Sequence, residues 1–269
     1  MASSGPCDSP IYAVLRRSRR VWAIGSIYGA AERLAALHQK LAERFQPGDR
    51  IVYLGNVLGC GAAVAETVDE VLRFRAAVIA QPMGFAADVA ILRGAQEEMW
   101  QRLLELQFAA NPREVLAFVL AQGVGATIVA YGGDPRQGEA ACREGVLAIT
   151  RWTSALRARL NHMPGHAQFM AALRRAAFTD VGSLLFVNAG IDPTKPLDLQ
   201  RDNFWWGGAS LLELAQPYES YQRVVRGYDR RHGGLVESRY AVSIDGGVDG
   251  PLTAACFDLG GALLDRVDA

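Results

Sequence analysis

The chain has 269 residues, of which 50% are hydrophobic and 21% are charged, so it is long enough for one large α/β domain or two small domains. Its 28 basic and 28 acidic residues cancel, so no net positive field favours nucleic acid, and no nucleic-acid partner is expected. No apolar run approaches the length of about 18 residues that a membrane span requires, and none is predicted.

The N-terminal segment and the cysteines both favour a reducing cytoplasm. Residues 11–15 form an apolar stretch that is too short for a signal peptide, and arginines follow it where a cleavage site of small residues belongs. We therefore expect residues 1–19 to form a flexible head. The cysteines do not form the paired CxxC motifs of disulfide frameworks or zinc ribbons; they are Cys7, Cys60, Cys142 and Cys256.

The first half of the chain alternates short apolar runs with amphipathic segments. The runs at residues 21–24, 51–54 and 89–92 predict buried strands, and a glycine follows each of them closely. Apolar residues at helical spacing predict helices over residues 30–45, over residues 62–79 and from Gly94 onward. Strand, glycine turn and helix recur in this order, which indicates βαβ units.

The second half divides into a helical middle and a strand-rich end. Residues 98–179 predict mostly helix, with a Gly/Asp/Pro break at residues 131–138. The remainder predicts strands at residues 184–187, 223–225, 240–244, 252–257 and 262–267. This order favours a layered α/β fold with two sheets.

The chain has four histidines, a residue type that is common among metal ligands. His162 and His166 have the i, i+4 spacing of helix-borne ligands, but Pro164 between them would break that helix. We therefore favour a turn between two helices over a metal site. His38 lies on a charged helix face and His232 in an Arg/Gly loop, and the sequence reveals no partner for either of them.

Two further features admit two readings each. The loop Gly55–Gly61 follows a strand and opens a helix, so its N–H groups could approach a pyrophosphate, but no Tyr-xxx-Lys pair of short-chain dehydrogenases supports this reading. The pair Trp205 and Trp206 could belong to the core or could anchor a binding partner, and the core is favoured.

Glycine-containing motifs at residues 20–29, 55–61, 92–99, 186–193 and 225–228, followed by strands near residues 244–254, occur in a familiar order. In that order and spacing they resemble the calcineurin-like metallophosphatases, and in particular their bacterial serine/threonine phosphatase and diadenosine tetraphosphatase group. There the first four motifs read GDxHG, GDxVDRG, LRGNHEEM and FVHAGIDP. The resemblance implies an α/β fold with a two-sheet β-sandwich flanked by helices. It also implies one domain at residues 20–269 with a helical insert at about residues 100–180.

The same resemblance implies that the metal site is degenerate, which means that its ligands have been replaced. The family binds two metal ions that activate a bridging water for attack on phosphorus. The resemblance places neutral residues at the positions of the family's metal ligands, of its general-acid histidine (Gln96 here) and of the aspartate and arginine in its second motif. These residues are Ser26, Tyr28, Asn56, Gly59, Cys60, Ala95, Gln96, Asn188 and Tyr228. A further phosphate-contacting arginine corresponds to Gly207.

Carboxylates and imidazoles are what two divalent ions need to offset their dehydration, and these positions offer neither. Without the ions no nucleophile forms near pH 7, and without the histidine the leaving group receives no proton. The turn glycines remain, so we predict a folded pseudoenzyme with no metal, no cofactor and no catalytic residue.

The larger side chains suggest how such a scaffold would fill its empty cleft. We expect the rings of Tyr28 and Tyr228 to occupy it, with Asn56 and Asn188 hydrogen-bonded to each other or to the tyrosine hydroxyls. Glu97 and Glu98 would have a structural role in the first turn of a helix.

These inferences leave three functions open. The first is a regulatory or structural subunit that binds another protein through the helical insert or through Trp205 and Trp206. The second is an active metal-dependent serine/threonine phosphatase or dinucleotide polyphosphate hydrolase with altered ligands. The third is a nucleotide or phosphate sensor without turnover.

Overall fold

The computed structural model of the protein describes residues 11–82, 84–207 and 210–269. Two sheets pack face to face in these residues, and helices cover their outer faces. The first ten residues of the predicted head, together with Cys7, lie outside the described residues. The other three cysteines are free thiols; they are Cys60, Cys142 and Cys256.

The first sheet carries the βαβ units that the sequence predicts. Its strand order is β11-β10-β2-β3-β4. The three strands β2, β3 and β4 are parallel to each other, and β10 runs antiparallel to β2. The strands are β2 (Arg20–Ile24), β3 (Asp49–Tyr53), β4 (Val89–Ile91), β10 (Thr253–Asp258) and β11 (Leu263–Asp268).

The second sheet has the order β1-β5-β6-β7-β9-β8. Its central strands β6, β7 and β9 are parallel, whereas β5 and β8 run antiparallel to their neighbours β6 and β9. The strands are β1 (Tyr12–Leu15), β5 (Ala176–Thr179), β6 (Leu184–Val187), β7 (Arg223–Arg226), β8 (Gly234–Glu237) and β9 (Ala241–Asp245).

Helices connect the strands of the first sheet, and further helices follow β4 along the chain before β5 of the second sheet. Helices α1 and α2 follow β2 and β3, α3 follows β4, and α4 to α8 make up most of the predicted insert. The helices are α1 (Ala31–Ala42), α2 (Val64–Ile79), α3 (Ala95–Leu104), α4 (Pro112–Ala121), α5 (Val124–Ala130), α6 (Pro135–Glu144), α7 (Val146–His162), α8 (His166–Ala172) and α9 (Asn203–Trp206).

Strand β2 shows why the sheets stack. Val21 and Ala23 point into the core between the two sheets, while Trp22 and Ile24 pack under the helices on the other face. A strand that is buried on both faces is a continuous apolar run rather than an alternating one, which is why the sequence revealed it. Burial of this apolar surface is the main force that holds the layers together.

Three strands were not predicted. Tyr12–Leu15, inside the predicted flexible head, is β1, so that prediction was wrong there: it pairs with β5 in parallel register. Ala176–Thr179, inside the predicted helical region, is β5, where pairing on both sides overrides the helix preference of two alanines. The short strand Gly234–Glu237 lies at the edge of the second sheet, where it pairs with β9.

The predicted turn between two helices at residues 163–165 is confirmed. Helix α7 ends at His162 and α8 begins at His166. Exposed His162 donates from Nδ1 to the Ala158 carbonyl at 2.6 Å, whereas buried His166 bonds through its two ring nitrogens to Tyr131 and Asp69. The two histidines therefore serve different local contacts.

Helix length and hydropathy bear on the predicted lack of a membrane span. Within the described ranges, no single helix combines the length and the apolar character needed to cross a bilayer. Helices α4 and α5, taken together, meet those criteria by length and composition, but they are bent by 94° with respect to each other.

Candidate functional site

The residues that the sequence singled out converge where parallel strands of both sheets end. Ser26 follows β2, Asn56 follows β3, Asn188 follows β6 and Tyr228 follows β7. Backbone hydrogen bonds join these loops: the Ser26 N–H donates to the Gly227 carbonyl at 3.1 Å, and the Tyr228 N–H donates to the Asn188 carbonyl at 2.8 Å. The fold thus brings the predicted positions together at one edge of the sandwich.

Asn56 is buried, and both ends of its amide are engaged. Its Nδ2 donates to Ser26 Oγ at 3.1 Å, and its Oδ1 accepts from the Gln96 N–H at 3.1 Å. Ser26 Oγ in turn donates to the Gly227 carbonyl at 2.6 Å. Asn56 has a positive φ of 52°, a conformation that asparagine tolerates better than most residues. The amide thereby locks the loop after β3 against the loop after β2.

Asn188 is also buried and also fully engaged. Its Nδ2 donates to the Leu54 carbonyl at 2.7 Å, and its Oδ1 accepts from the Ala95 N–H at 3.2 Å. The predicted bonds between Asn56 and Asn188, or from either of them to a tyrosine hydroxyl, are wrong. Buried backbone N–H and C=O groups need partners, and the amides bond to those of Leu54, Ala95 and Gln96 instead.

The two tyrosines differ in their environment. Tyr28 is only 4% exposed, and its hydroxyl has no hydrogen-bond partner among the described residues. Burial, with a smaller contribution from the Asp245 charge, raises the pKa of Tyr28 well above its usual value. Tyr228 is half-buried, and its ring meets His232 edge-on with centroids 5.9 Å apart. Tyr28 is thus buried and Tyr228 only half-buried, and the filling of the cleft by both rings stays a prediction.

Gln96, at the position of the general-acid histidine in the resembled family, bonds to the helical insert. Its Nε2 donates to the Gln122 carbonyl at 2.7 Å, at the end of α4. Its Oε1 is buried without a partner among the described residues and lies against Gly59. An amide does not release a proton near neutral pH, so this side chain links two segments and cannot act as an acid.

Gly59 and Cys60 extend this connection. The Gly59 N–H donates to Thr127 Oγ1 at 3.1 Å, and the Cys60 N–H donates to the Gly123 carbonyl at 3.0 Å. Burial raises the pKa of the Cys60 thiol, which makes it a poor nucleophile near neutral pH. The loop after β3 is thus attached to the corner between α4 and α5.

Glu97 is a fully buried acid next to Gln96. Its carboxylate accepts from the backbone N–H groups of Asn56 at 2.9 Å, Leu58 at 2.9 Å and Gly94 at 2.7 Å. Burial raises the pKa of Glu97, while these donors act in the opposite direction. Glu98, by contrast, forms ion pairs with Arg93 at 3.1 Å and Arg102 at 3.0 Å nearer the surface. A structural use of both acids agrees with these contacts.

The loop Gly55–Gly61 does not present the N–H groups that a pyrophosphate would need. Glu97 takes those of Asn56 and Leu58, and Thr127 takes that of Gly59. The N–H of Gly61 donates to the Tyr28 carbonyl at 2.8 Å. The nucleotide-loop reading of this motif is therefore wrong.

Sequence reasoning missed a cluster of charges after β7 and β9. Arg226 pairs with Asp229 at 2.5 Å, and both side chains are largely buried. Asp245, at the end of β9, accepts from the Asp229 N–H at 2.8 Å and pairs with His232 Nδ1 at 2.9 Å. Burial raises the pKa of Asp245. Alternating arginines and acids around Tyr228 were the signal that could have revealed this cluster.

The tryptophan pair is split between core and surface. Trp205 is 3% exposed, and Arg175 lies 5.7 Å from its ring centroid. Trp205 therefore packs in the core, which is the reading that the sequence favours, and its burial argues against a role as a partner-binding anchor. Trp206 is half-buried and, with Gly207, lines a pocket of about 200 Å³, so its binding role stays a prediction.

The donor set does not fit a pair of divalent cations. The amide oxygens of Asn56 and Asn188 already accept backbone N–H groups, and Ser26 Oγ is bonded on both sides. In the part of the chain that the structure describes, no three His, Cys, Asp or Glu side chains converge as metal ligands would. The acids and imidazoles that lie near, Glu97 and Asp245 with His232, are each engaged in internal bonds.

Comparison with known proteins identifies the fold. No protein-family model and no curated protein sequence matches the chain. Solved structures do match. A candidate diadenosine tetraphosphatase shares 16% identity and a TM-score of 0.57, over 96% of this chain and 97% of that one.

Two further structures extend this likeness. A cold-active protein tyrosine phosphatase has 13% identity and a TM-score of 0.53, over 97% of this chain and 80% of that one. A protein serine/threonine phosphatase from Saccharomyces cerevisiae has 11% identity and a TM-score of 0.52, over 97% of this chain and 84% of that one. The predicted calcineurin-like metallophosphoesterase fold is confirmed: the chain is an α/β protein with two sheets flanked by helices.

Proposed function

Because the chain has the metallophosphoesterase fold, we propose that it is a pseudophosphatase, which acts by binding a protein partner and does not hydrolyse phosphate esters. A fold alone does not fix an activity, since chemistry resides in the site residues. The proposal therefore rests on what the residues at the ligand positions do in this chain.

The observation that carries the proposal is the engagement of Asn56 and Asn188. Each amide oxygen accepts a backbone N–H, at 3.1 Å and 3.2 Å, and each amide nitrogen donates to an internal oxygen. A metal ion bound here would displace those backbone partners inside a buried site, and it would gain neither a carboxylate nor an imidazole in return. Retention of two ions is therefore not favoured.

Proton supply points the same way. In phosphate-ester hydrolysis a general acid protonates the leaving group. Gln96 has an amide in that position, and its Nε2 is held by the Gln122 carbonyl at 2.7 Å. The two-metal reaction needs an activated water and a proton donor, and the side chains at these positions suit neither role.

Exposed apolar side chains on the helical insert support a protein-binding role. Phe108, between α3 and α4, is 82% exposed, and Leu147 of α7 is 72% exposed. A contiguous apolar patch in water marks an interaction surface, and the proposal assigns Phe108 and Leu147 to such a patch on the insert. A partner that covers these groups would present an apolar surface of its own.

Metal content and turnover test the loss of hydrolysis. The protein is purified with manganese present, its metal is counted by mass spectrometry, and hydrolysis of p-nitrophenyl phosphate and of diadenosine tetraphosphate is measured. We expect substoichiometric metal and no manganese-dependent turnover. Two bound ions per chain with manganese-dependent hydrolysis would instead establish the altered-ligand phosphatase or polyphosphate hydrolase.

Partner capture tests the binding role. We expect Phe108→Ser and Leu147→Ser to weaken the recovery of a specific partner that the wild-type protein retains. Val181→Ser is the matched control, because Val181 is also exposed, at 64%, but lies outside the insert. Equal recovery of that partner by all the variants would contradict a role for the insert.

A further inference from the structure

An apolar groove lies on the helical insert, between the end of α5 and the C-terminal half of α7. Its volume is about 470 Å³. Both alanines that α7 contributes are exposed, and Val129, which precedes the groove on α5, is 61% exposed. We call it the insert groove and define it by six of its lining residues, which are Ala130, Gly132, Ala155, Ala158, Arg159 and Met163.

From this groove we propose that the partner protein docks through an amphipathic helix, whose apolar face enters the insert groove and whose flanks carry aspartate or glutamate. The inference rests on the proposed binding role and names the kind of partner. It does not depend on the loss of hydrolysis, because none of the residues that form the groove belongs to the former metal site.

The segments that form the groove contain basic residues and no acid. Residues 115–133, which include α5, have no charged side chain at all. Residues 145–179, which include α7 and α8, have five arginines and neither aspartate nor glutamate. Asp134, which follows the first of these segments, is occupied as the cap of α6, where it accepts from the Arg136 N–H at 2.9 Å. The surface around the groove is therefore positive although the whole chain is neutral.

Two of these arginines are available to a partner. Arg151 and Arg159 on α7 are exposed, and among the described residues neither side chain forms an ion pair. Arg159 lies at the groove itself, with Nη1 3.0 Å from the position of a β carbon on Gly132. Arg157, by contrast, is half-buried and donates to the Leu104 carbonyl. Guanidinium groups at the rim of an apolar surface complement carboxylates on the partner and set its orientation.

The same charges argue against a second copy of this chain as the occupant. Ala155 lies midway between Arg151 and Arg159 on α7. In an antiparallel pair of α7 helices centred on Ala155, the Arg151 of each copy would face the Arg159 of the other. Like charges in such an interface cost free energy, and no acid on α7 offsets them. The occupant is therefore a different sequence that carries acids.

The shape of the groove favours a helix. It lies between two helices, and a third helix packs into such a space by fitting its side chains between theirs. The small residues Ala155, Ala158 and Gly132 let the backbone of that helix approach closely, while Met163 provides an adaptable contact at one end. Apolar residues at i, i+3, i+4 and i+7 on the partner would line one face of it.

Selection from a phage-displayed library of random 16-residue peptides tests the proposal on the full chain, with removal of every peptide that also binds Ala158→Glu. This variant keeps α7, because position 158 is exposed and glutamate is a good helix former, but it fills the groove with a larger, acidic side chain. We expect the retained peptides to have apolar residues at helical spacing and more Asp and Glu than Lys and Arg. The absence of any enriched peptide, or enriched peptides without these two features, would overturn the proposal.

Fluorescence anisotropy with the most enriched peptide, synthesised and labelled, then measures the role of the arginines. Arg151→Glu/Arg159→Glu should weaken binding by about tenfold or more, because attraction becomes repulsion. A peptide with lysines in place of its acids should bind this variant more tightly than it binds the wild type. Arg17→Glu/Arg19→Glu is the matched control, because it changes the net charge equally at exposed arginines outside the insert, and it should bind as the wild type does.

Equal binding of the acidic peptide by the wild type and by Arg151→Glu/Arg159→Glu would also overturn the proposal. So would self-association of the full chain that Ala158→Glu abolishes, measured by analytical ultracentrifugation without peptide, because it would assign the groove to a second copy. Manganese-dependent hydrolysis would contradict the pseudophosphatase but would leave the insert groove supported, whereas a groove that selects no peptide would leave the loss of hydrolysis untouched.

Discussion

The side-chain oxygen of Gln96 lies in the space that a β carbon at Gly59 would occupy. Gln96 can therefore reach the Gln122 carbonyl, at 2.7 Å, only because position 59 carries no side chain. The resembled family has an aspartate and a histidine at these two positions. Their replacement by Gly59 and Gln96 forms one packing unit, in which the smaller residue makes room for the amide.

This coupling predicts that Gly59→Ala destabilises the protein more than its backbone conformation alone explains. Gly59 has a φ of +82°, and Gly234 has a φ of +74° with nothing near its Cβ position, so Gly234→Ala measures the cost of a positive φ without a steric obstacle. We expect Gly59→Ala to lower the free energy of unfolding by about 1–3 kcal/mol more than Gly234→Ala, as overpacking does. Urea denaturation measures both variants.

A double-mutant cycle identifies the cause. If the oxygen of Gln96 is the obstacle, Gly59→Ala combined with Gln96→Ala should be more stable than the sum of the two single effects predicts. Strict additivity would place the strain elsewhere.

The carboxylate of Glu97 predicts a second large effect. It accepts three backbone N–H groups at distances of 2.7–2.9 Å and is fully buried. In Glu97→Gln one acceptor oxygen becomes a donor that faces other donors, so we expect a loss of about 3 kcal/mol or more in the free energy of unfolding.

Glu98→Gln is the matched control for this variant. Glu98 lies next in the same helical turn, and its partners Arg93 and Arg102 are partly exposed, so we expect a loss below about 1 kcal/mol. Similar losses in the two variants, measured by urea denaturation, would mean that the three backbone bonds are not what makes Glu97 important.

The sequence revealed those strands whose residues are buried on both faces. Residues 21–24 and 184–187 are such runs, and the structure has strands there, at Arg20–Ile24 and Leu184–Val187. Strand β5 was missed because Ala176 and Ala177 prefer helix, and only the neighbouring strands β1 and β6 make this segment extended. Pairing between distant segments is information that local periodicity does not contain.

The same limit applies to the candidate site. The replaced positions could be identified by their motifs, but the partners of the new side chains could not. Asn188 bonds to Leu54, 134 residues away, and His38, which was read as part of a charged helix face, is buried against Glu70 of α2. The expectation that His38 lies on a charged helix face is wrong because α2 packs over that face of α1.

His38 predicts how stability depends on pH. Its Nδ1 lies 2.5 Å from Glu70 Oε1, its Nε2 accepts from the Tyr53 hydroxyl at 2.9 Å, and the Phe74 ring stacks on it at 3.9 Å. Arg73 also faces the group through Glu70. Burial lowers the pKa of His38 from its ordinary value of 6.5 to about 4, and it outweighs the opposing effect of Glu70.

Between these two pH values the unfolded chain binds a proton that the folded chain excludes. The contribution of His38 is therefore complete above pH 6.5 and is lost as the pH falls towards about 4. Its slope is about 1.4 kcal/mol per pH unit. We expect His38→Gln to flatten the dependence of the unfolding free energy on pH in this window, and exposed His162→Gln to leave it unchanged. An unchanged slope in His38→Gln would contradict this assignment.

Asn188→Asp tests whether an acid can return to a ligand position. The buried Nδ2 of Asn188 donates to the Leu54 carbonyl at 2.7 Å, and an aspartate would place an oxygen against that carbonyl. We expect the free energy of unfolding at pH 7 to fall by about 3 kcal/mol, as for other unpaired buried charges. The exposed Asn161→Asp on α7 should change it by less than about 0.5 kcal/mol.

The pH dependence of this variant distinguishes the cause. Burial would raise the pKa of the new carboxyl, and its protonated form could donate to the Leu54 carbonyl as the amide does. The deficit of Asn188→Asp relative to the wild type should therefore be largest at high pH and should shrink as the pH falls. Manganese should not restore stability at pH 7, because the other ligand positions remain neutral. A manganese-dependent rise in its thermal midpoint, with none in Asn161→Asp, would show that the scaffold still accepts a metal ion.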